Sequence, residues 1–536
     1  MKIYQTIYVL LFLAALSFSF SSCSDDEEEY RFINQGGIFL KEDTVYVTSA
    51  GGKYDLSGYS DGEVVYSLPE GQDWLDLVQP TRGMSVRNFS IEVSANDHIV
   101  PRYARVSLSS VDGQLAAQLV VAQEAAACSH VYKVEKAGTL STLVGDEDRL
   151  MLRDMKVTGP LNGEDLAFLR QMCASEDYYF NADHFDGKLE ELDLSEASII
   201  SGGIYMNVEG EDLIAEADVI GEHLFRYSLL KHLALPQGIK EILSCAFQDS
   251  RLEEIVLPAS VRKVYYNAFN NCVLLKSVTL NDGLESLESS VFEDCLVLKA
   301  IEIPASVKYV GDECFNDCFA LESVILHEGL EYMDDDVFED CHSLKSIVIP
   351  NSVKFMGNEF FDDCYSLQSV VLHNGLKKLD DETFEDCRML REVTLPDGLE
   401  TIGSSVFDEC YLLQSLKIPA SVKYIGPGAF DGCESLRELE LPAAMTEIEE
   451  AVFAESYLEK IVVPAGVTKI YDYAFLSFRL RELYLYCTQV PEVLGSQLFF
   501  DDKVFKIYVP ASMLSAYKSA DFWKDYADRI FPMPAK

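Results

Sequence analysis

Basic residues are scarce in this chain. It carries 43 lysines and arginines against 89 aspartates and glutamates, a net charge of −46 over 536 residues. A phosphate backbone needs a basic footprint, so nucleic acid is excluded as a partner. Motifs that carry chemistry are missing too. There is no Gly-x-Ser-x-Gly elbow, no His-Glu-x-x-His, no phosphate-cradling glycine loop and no nucleotide fingerprint. The eight histidines are read as not clustering, and no Cys-x-x-Cys pair occurs among the fourteen cysteines, which removes the usual zinc spacing. These absences predict no catalytic residue, no metal and no cofactor. One apolar run stands out, from Ile7 to Phe20, and it falls short of the ~20 residues a membrane span takes.

What is present is a period. Cys272, Cys295, Cys318, Cys341, Cys364, Cys387, Cys410 and Cys433 recur at a constant spacing, each three residues after a phenylalanine. The phenylalanine column runs further, through Phe225, Phe247, Phe453 and Phe475, where the cysteine position falls on Ser228, Ser250, Ser456 and Phe478. A fixed period means one unit copied and stacked. Within a unit, Ile347 and Ile349 alternate as on one face of a short strand. An apolar return segment follows (Val353, Phe355, Met356), and the stretch before cysteine suits one helical or 3₁₀ turn. Single coils cannot bury their apolar residues, whereas stacked coils can. The fold class expected is mainly β, a solenoid of short parallel strands and short turns, preceded by a small β-sandwich. The cysteines read as buried thiols within the stack, with bridges between neighbouring coils as the alternative.

The segment from Leu416 through Pro419, Val422, Gly426 and Phe430 to Cys433 closely resembles the repeat unit of the BspA-like leucine-rich-repeat surface proteins, and the resemblance recurs in register over about residues 220–510. It implies adhesion or binding to an extracellular or host protein, or to a glycan.

The apolar run suits a signal peptide (1–22). It ends in Ser21, Ser22 and Cys23, which resembles a bacterial lipobox with Cys23 lipidated. The acidic residues from Asp25 to Glu29 resemble the export signal of Bacteroides-type surface lipoproteins, giving a lipidated acidic tether over 23–37. The expected location is the outer membrane, exposed at the cell surface and held only through the lipid.

Residues 38–126 lack the period and alternate in short strands, the pattern of a β-sandwich. Gly51, Gly52, Trp74, the turn Pro80 to Gly83, Asn96, Arg102 and Gln123 resemble a BACON domain, for which a carbohydrate-binding role is implied. Trp74, followed by Leu75, is a candidate glycan-stacking residue if exposed and a core residue if not. Residues 127–220 read as an N-terminal cap with degenerate repeats, 221–490 as the repeats, and 491–536 as a C-terminal cap. In that cap Ile507 to Pro510 forms the last strand, and Tyr517, Phe522, Trp523 and Tyr526 cover the open end.

Two surfaces follow from stacking. Acidic pairs after each phenylalanine, such as Glu339 and Asp340, form a stripe that serves calcium, a basic partner or plain solvation. Outward strand positions Ile325, Val348 and Val371 form an apolar column, with His327 and His373 beside it. These five are the candidate partner-binding residues of an expected monomer. The alternative functions are a carbohydrate-binding accessory protein acting through the sandwich and a structural surface protein without a ligand.

Overall fold

The computed structural model describes residues 38–534 except 41–43, 61–63, 68–73, 79–87, 111–115, 174–186, 209 and 501–504. The signal peptide, Cys23, the acidic tether and the turn at Pro80 lie outside the described residues. The chain divides into two compact units. The first holds two four-stranded sheets. One has the order Ile38–Leu40, Gly52–Ser60, Asn88–Val93, Leu75–Val78; the other has Thr44–Val47, Ala116–Gln123, Arg102–Ser110, Val64–Ser67. Alternate residues of these strands form one core that includes Val47, Ile91, Val106 and Val121, as expected when a sheet buries one face. Trp74 belongs to that core at 8% exposure. It is therefore not presented to a sugar, and the glycan-stacking expectation is corrected.

The second unit takes in residues 96–103 and everything from 123 onward. The coils contribute strands to a parallel ladder in strict register, except at the coil of Leu416 and Ile418: Glu254 pairs with Ser277, Ser346 with Ser369, and Ser369 with Glu392. The return segment is more ordered than its sequence suggests. Its two-residue strands, such as Tyr309–Val310, Tyr332–Met333 and Phe355–Met356, form a second parallel ladder. The stretch before cysteine is not a helical turn. It is a run of turns with residues at positive φ four apart, such as Glu313 and Asp317, and every second N–H donates to the next coil: Glu313 to Asp335 O, Phe315 to Val337 O and Asp317 to Glu339 O, at 3.0–3.2 Å. Three rows of inter-coil hydrogen bonds thus satisfy a backbone that a lone coil would leave bare.

The apolar interior is columnar. Phenylalanine rings stack from Phe225 to Phe475 and on to Phe499, with centroids 4.9 Å apart at the tightest step and 6.3 Å at the widest. Such offset stacks contribute about 0.5–1.5 kcal/mol per pair beyond burial. The cysteines of the described residues are free thiols, and those of the column do more than fill space. Each Sγ donates to the phenylalanine carbonyl of the preceding coil, as in Cys364 to Phe338 O (3.2 Å) and Cys433 to Phe407 O (3.2 Å). The spacing from Phe475 puts Phe478 at this position, but the structure buries Ser477 there instead. Its hydroxyl donates to Ser456 O and Leu458 O at 2.9 Å each, and Phe478 turns outward.

Both ends are closed. At the N-terminal end the helix Gly163–Cys173 buries Leu166, Leu169 and Met172. At the C-terminal end Tyr517 and Trp523 are buried, and the Trp523 indole faces Pro491 O at 3.4 Å. Ile507 to Pro510 is not the last strand, because Ile530–Pro532 pairs in parallel beyond it. No helix among the described residues is long and apolar enough to cross a membrane.

Two outcomes test this interior. Burial holds the column thiols in the neutral form, with Cys272 pushed up to about 12, so a thiol reagent at neutral pH labels the column only after denaturation. Phe338→Ala, which opens a gap in the middle of the ring stack, lowers stability in urea unfolding by about 3–5 kcal/mol.

Candidate functional site

The surface divides into three faces, one for each row of the coil. On the first ladder Val348 is 54% exposed and Ile325 36%, while Val371 is partly covered. Val348 and Val371 are register partners, and Glu302 is the partner of Ile325. His327 is held by Glu302, Nε2 to Oε1 2.8 Å, and His373 is partly buried at the strand end. The five expected residues share one face, but the apolar column is short and bounded by Glu302 and Thr394.

The second ladder carries a larger feature that the sequence reading missed. Tyr309, Tyr332 and Phe355 stand in register on three successive coils. Tyr332 and Phe355 are 44% and 41% exposed, and Tyr424 repeats the position further along. The Tyr309 hydroxyl donates to Asp334 Oδ2 at 2.5 Å, which orients the ring. The signal was available: these rings recur with the period, at the position just before the buried Val310, Met333 and Met356.

The third face is the acidic stripe. Its carboxylates sit where the backbone is left-handed: Glu313 and Asp317, Asp336 and Asp340, Glu359 and Asp363, Glu382 and Asp386 all have φ between 50° and 59°. Aspartate tolerates that region better than most residues, and glutamate gains little there. The coil of Phe430 meets the same geometry with Gly428 and Gly432, so the backbone does not by itself require acid. Beside the stripe the residue after each cysteine forms a stack. Phe319, His342 and Tyr365 have ring centroids 4.7 and 4.6 Å apart, and the Arg388 guanidinium lies 4.5 Å over Tyr365. His342, Tyr365 and Arg388 each reach back to the acid of their own coil, as in His342 Nε2 to Asp340 Oδ1 (2.9 Å) and Arg388 to Asp386 (2.7 Å).

Inside the stripe the carboxylates crowd. Oxygens of Asp336, Glu339 and Glu359 lie within 4.8 Å of one another, fewer ligands than the six to eight oxygens calcium takes. Burial first, and then neighbouring carboxylates, push Asp336, Asp362 and Asp408 up to about 7 and Glu339 and Glu385 up to about 8. Asp336 Oδ1 and Glu385 Oε2 are buried without a hydrogen-bond partner.

The histidines do come together at one place, contrary to the reading of the sequence. His98 stacks on His232 with centroids 3.8 Å apart, and its Nδ1 lies 2.8 Å from Glu191 Oε1. The loop 96–103 delivers His98 to the strand that carries His232, and no local spacing announces the meeting.

The crowded stripe fixes a pH dependence. A carboxyl with a raised value holds its proton more tightly in the fold than in the unfolded chain, so ionising it works against folding. Stability is therefore highest near the ordinary carboxylate range of about 4–5 and is lost as pH rises through about 7 to 8. Urea unfolding is expected to show a higher midpoint at about pH 5.5 than at about pH 8. Glu385→Gln raises the melting temperature at the higher pH by roughly 2–4 °C and flattens the dependence.

The repeats match the family model for the BspA-type leucine-rich repeat region, in six copies over residues 199–319, 241–368 and 355–481, just over half of the chain. No curated protein matches. Among solved structures, the chain is similar to a leucine-rich repeat protein from Bacteroides ovatus (26% identity, TM-score 0.46, covering 58% of this chain and 84% of that one). It is also similar to the pneumococcal vaccine antigen PcpA (21% identity, TM-score 0.39, 53% and 80%). A leucine rich cell surface protein from Faecalibacterium prausnitzii gives 18% identity and a TM-score of 0.34, over 73% and 93%. With its repeats matched in register and its coils stacked as parallel ladders, the chain belongs to the BspA-type leucine-rich repeat family.

Proposed function

We propose that this protein is a lipid-anchored cell-surface binder that docks an extracellular protein on its solenoid. The observation that carries the reading is the register-aligned column Tyr309, Tyr332 and Phe355. Protein interfaces are enriched in such rings, which bring large contact area at small entropic cost. Stacked coils hold them rigidly, so little ordering is lost on binding. The shorter column of Ile325, Val348 and Val371, with His327 and His373, is the second face on offer, and it is favoured by the exposure of Val348. The net charge of −46 steers cationic partners toward either face. The sandwich is proposed as a BACON-like domain acting as a spacer, since its candidate stacking residue Trp74 lies in the core.

The test uses immobilised protein and purified extracellular-matrix and host surface proteins. For a ligand so found, Tyr332→Ala with Phe355→Ala weakens binding by about tenfold or more. Val348→Glu with Val371→Glu leaves it intact if the second ladder is the site. Binding that survives both pairs overturns a site on either ladder. The anchor is tested separately. Cys23→Ser abolishes incorporation of labelled palmitate and releases the protein from the membrane fraction, and continued labelling would rule out Cys23.

A further inference from the structure

Four side chains meet where the loop 96–103 lies against the first strands of the solenoid, all within the second unit. Glu191, His232 and Glu254 occupy the same register position on three successive parallel strands. Such strands lie about 4.8 Å apart, so neighbouring side chains in one column converge on a common point. His98 completes the set from above. Its ring stacks on His232 at 3.8 Å with 28° between the planes. Its Nδ1 is 2.8 Å from Glu191 Oε1, and His232 Nδ1 is 3.2 Å from Glu254 Oε1. The second Glu191 oxygen accepts the Ile99 N–H at 3.0 Å, which fixes both the carboxylate and the loop that delivers His98. The loop is itself pinned by Asn96, buried, whose amide donates to Val100 O and Glu124 O at 2.9 and 3.0 Å.

The donor atoms of His98, Glu191 and His232 all lie within 4.8 Å of one another. Zinc bonds imidazole nitrogen and carboxylate oxygen at about 2.0–2.2 Å, so small side-chain rotations place all three on one ion. The His232 side chain is 9% exposed and that of Glu191 21%, and partial exclusion of water strengthens such bonds. Arg102 is the nearby opposing charge. It is engaged with Gln123 through Nε at 2.8 Å and faces two carboxylates of its own, Glu254 and Asp97, that offset its charge. We propose that His98, Glu191 and His232, with Glu254 as fourth ligand or as hydrogen-bond partner to His232, bind one divalent transition-metal ion of the zinc class. Two imidazoles with carboxylate oxygen select that class over calcium and magnesium, which take oxygen alone. The ion would tie the loop to the ladder in place of the present hydrogen bonds.

The metal-free protein is titrated with Zn²⁺ by calorimetry, and with Co²⁺ to read ligation from its visible absorption. One equivalent is expected to bind well above the background of weak carboxylate sites. His98→Ala and His232→Ala each weaken it by about 100-fold or more, and His327→Ala leaves it unchanged. Zinc raises the unfolding temperature of the parent protein and not that of His98→Ala. Because His98 lies in a loop, that variant is expected to unfold within a few degrees of the parent without metal, which separates lost ligation from lost folding. Equal zinc affinity in the parent and both histidine variants, or no equivalent above background, overturns the site and leaves the proposed partner-binding faces untouched.

Discussion

Everything in the solenoid depends on one constraint: each residue must lie against its own copy in the next coil. The strand ladders, the left-handed turns and the ring column all bond or pack across that one step, from position n to position n plus a period. Phe338 stacks on Phe315 and Phe361 at 5.5 and 5.8 Å, and the thiol of Cys341 donates to Phe315 O. A substitution is thus felt by two neighbours at once, and the chain tolerates it only where the copy above and below can adjust. Cysteine suits its column because it is small and apolar and still offers a weak donor. Where serine takes the position the bonding changes: Ser456 donates to the carbonyl of its own coil, 2.8 Å from Phe453 O, and Ser250 Oγ meets Cys272 Sγ at 3.3 Å.

The same constraint stacks charge. A favourable side chain at one register position is multiplied by the number of coils, and so is an unfavourable one. The carboxylates in left-handed turns are the costly case, because each brings its neighbours' charge within a few ångströms. Elsewhere the coils alternate signs across the step, as Lys276 with Glu253 and Lys423 with Glu400. Exposed pairs of that kind contribute about 0.2–1 kcal/mol each, too little to offset a crowded acidic column. The protein therefore carries one face on which like charges are crowded.

Period was the legible part. The Phe and Cys columns give the stack, its length and the core residues without reference to coordinates, because burial in a solenoid follows register alone. What escaped the sequence is informative. The second ladder was hidden because two-residue strands such as Lys378–Leu379 leave no alternation to detect. The turn geometry was hidden because Glu313 and Glu359 at positive φ contradict local preference and are held there by hydrogen bonds to the next coil. Ser477 replaced Phe478 in the interior because that coil shortens its path, which a fixed offset from Phe475 cannot register. His98 and His232 lie far apart in sequence, and only the fold brings them together.

A stack that grows by adding like to like has no intrinsic length, and its last strand is a template for another molecule's first. Ile530–Pro532 occupies that place. Pro532 has no N–H to offer, and Phe531 stands exposed beside it. Proline at an open edge discourages further pairing. One imino acid, three residues into that strand, thus leaves its outer edge one N–H short of the pattern that the other coils offer.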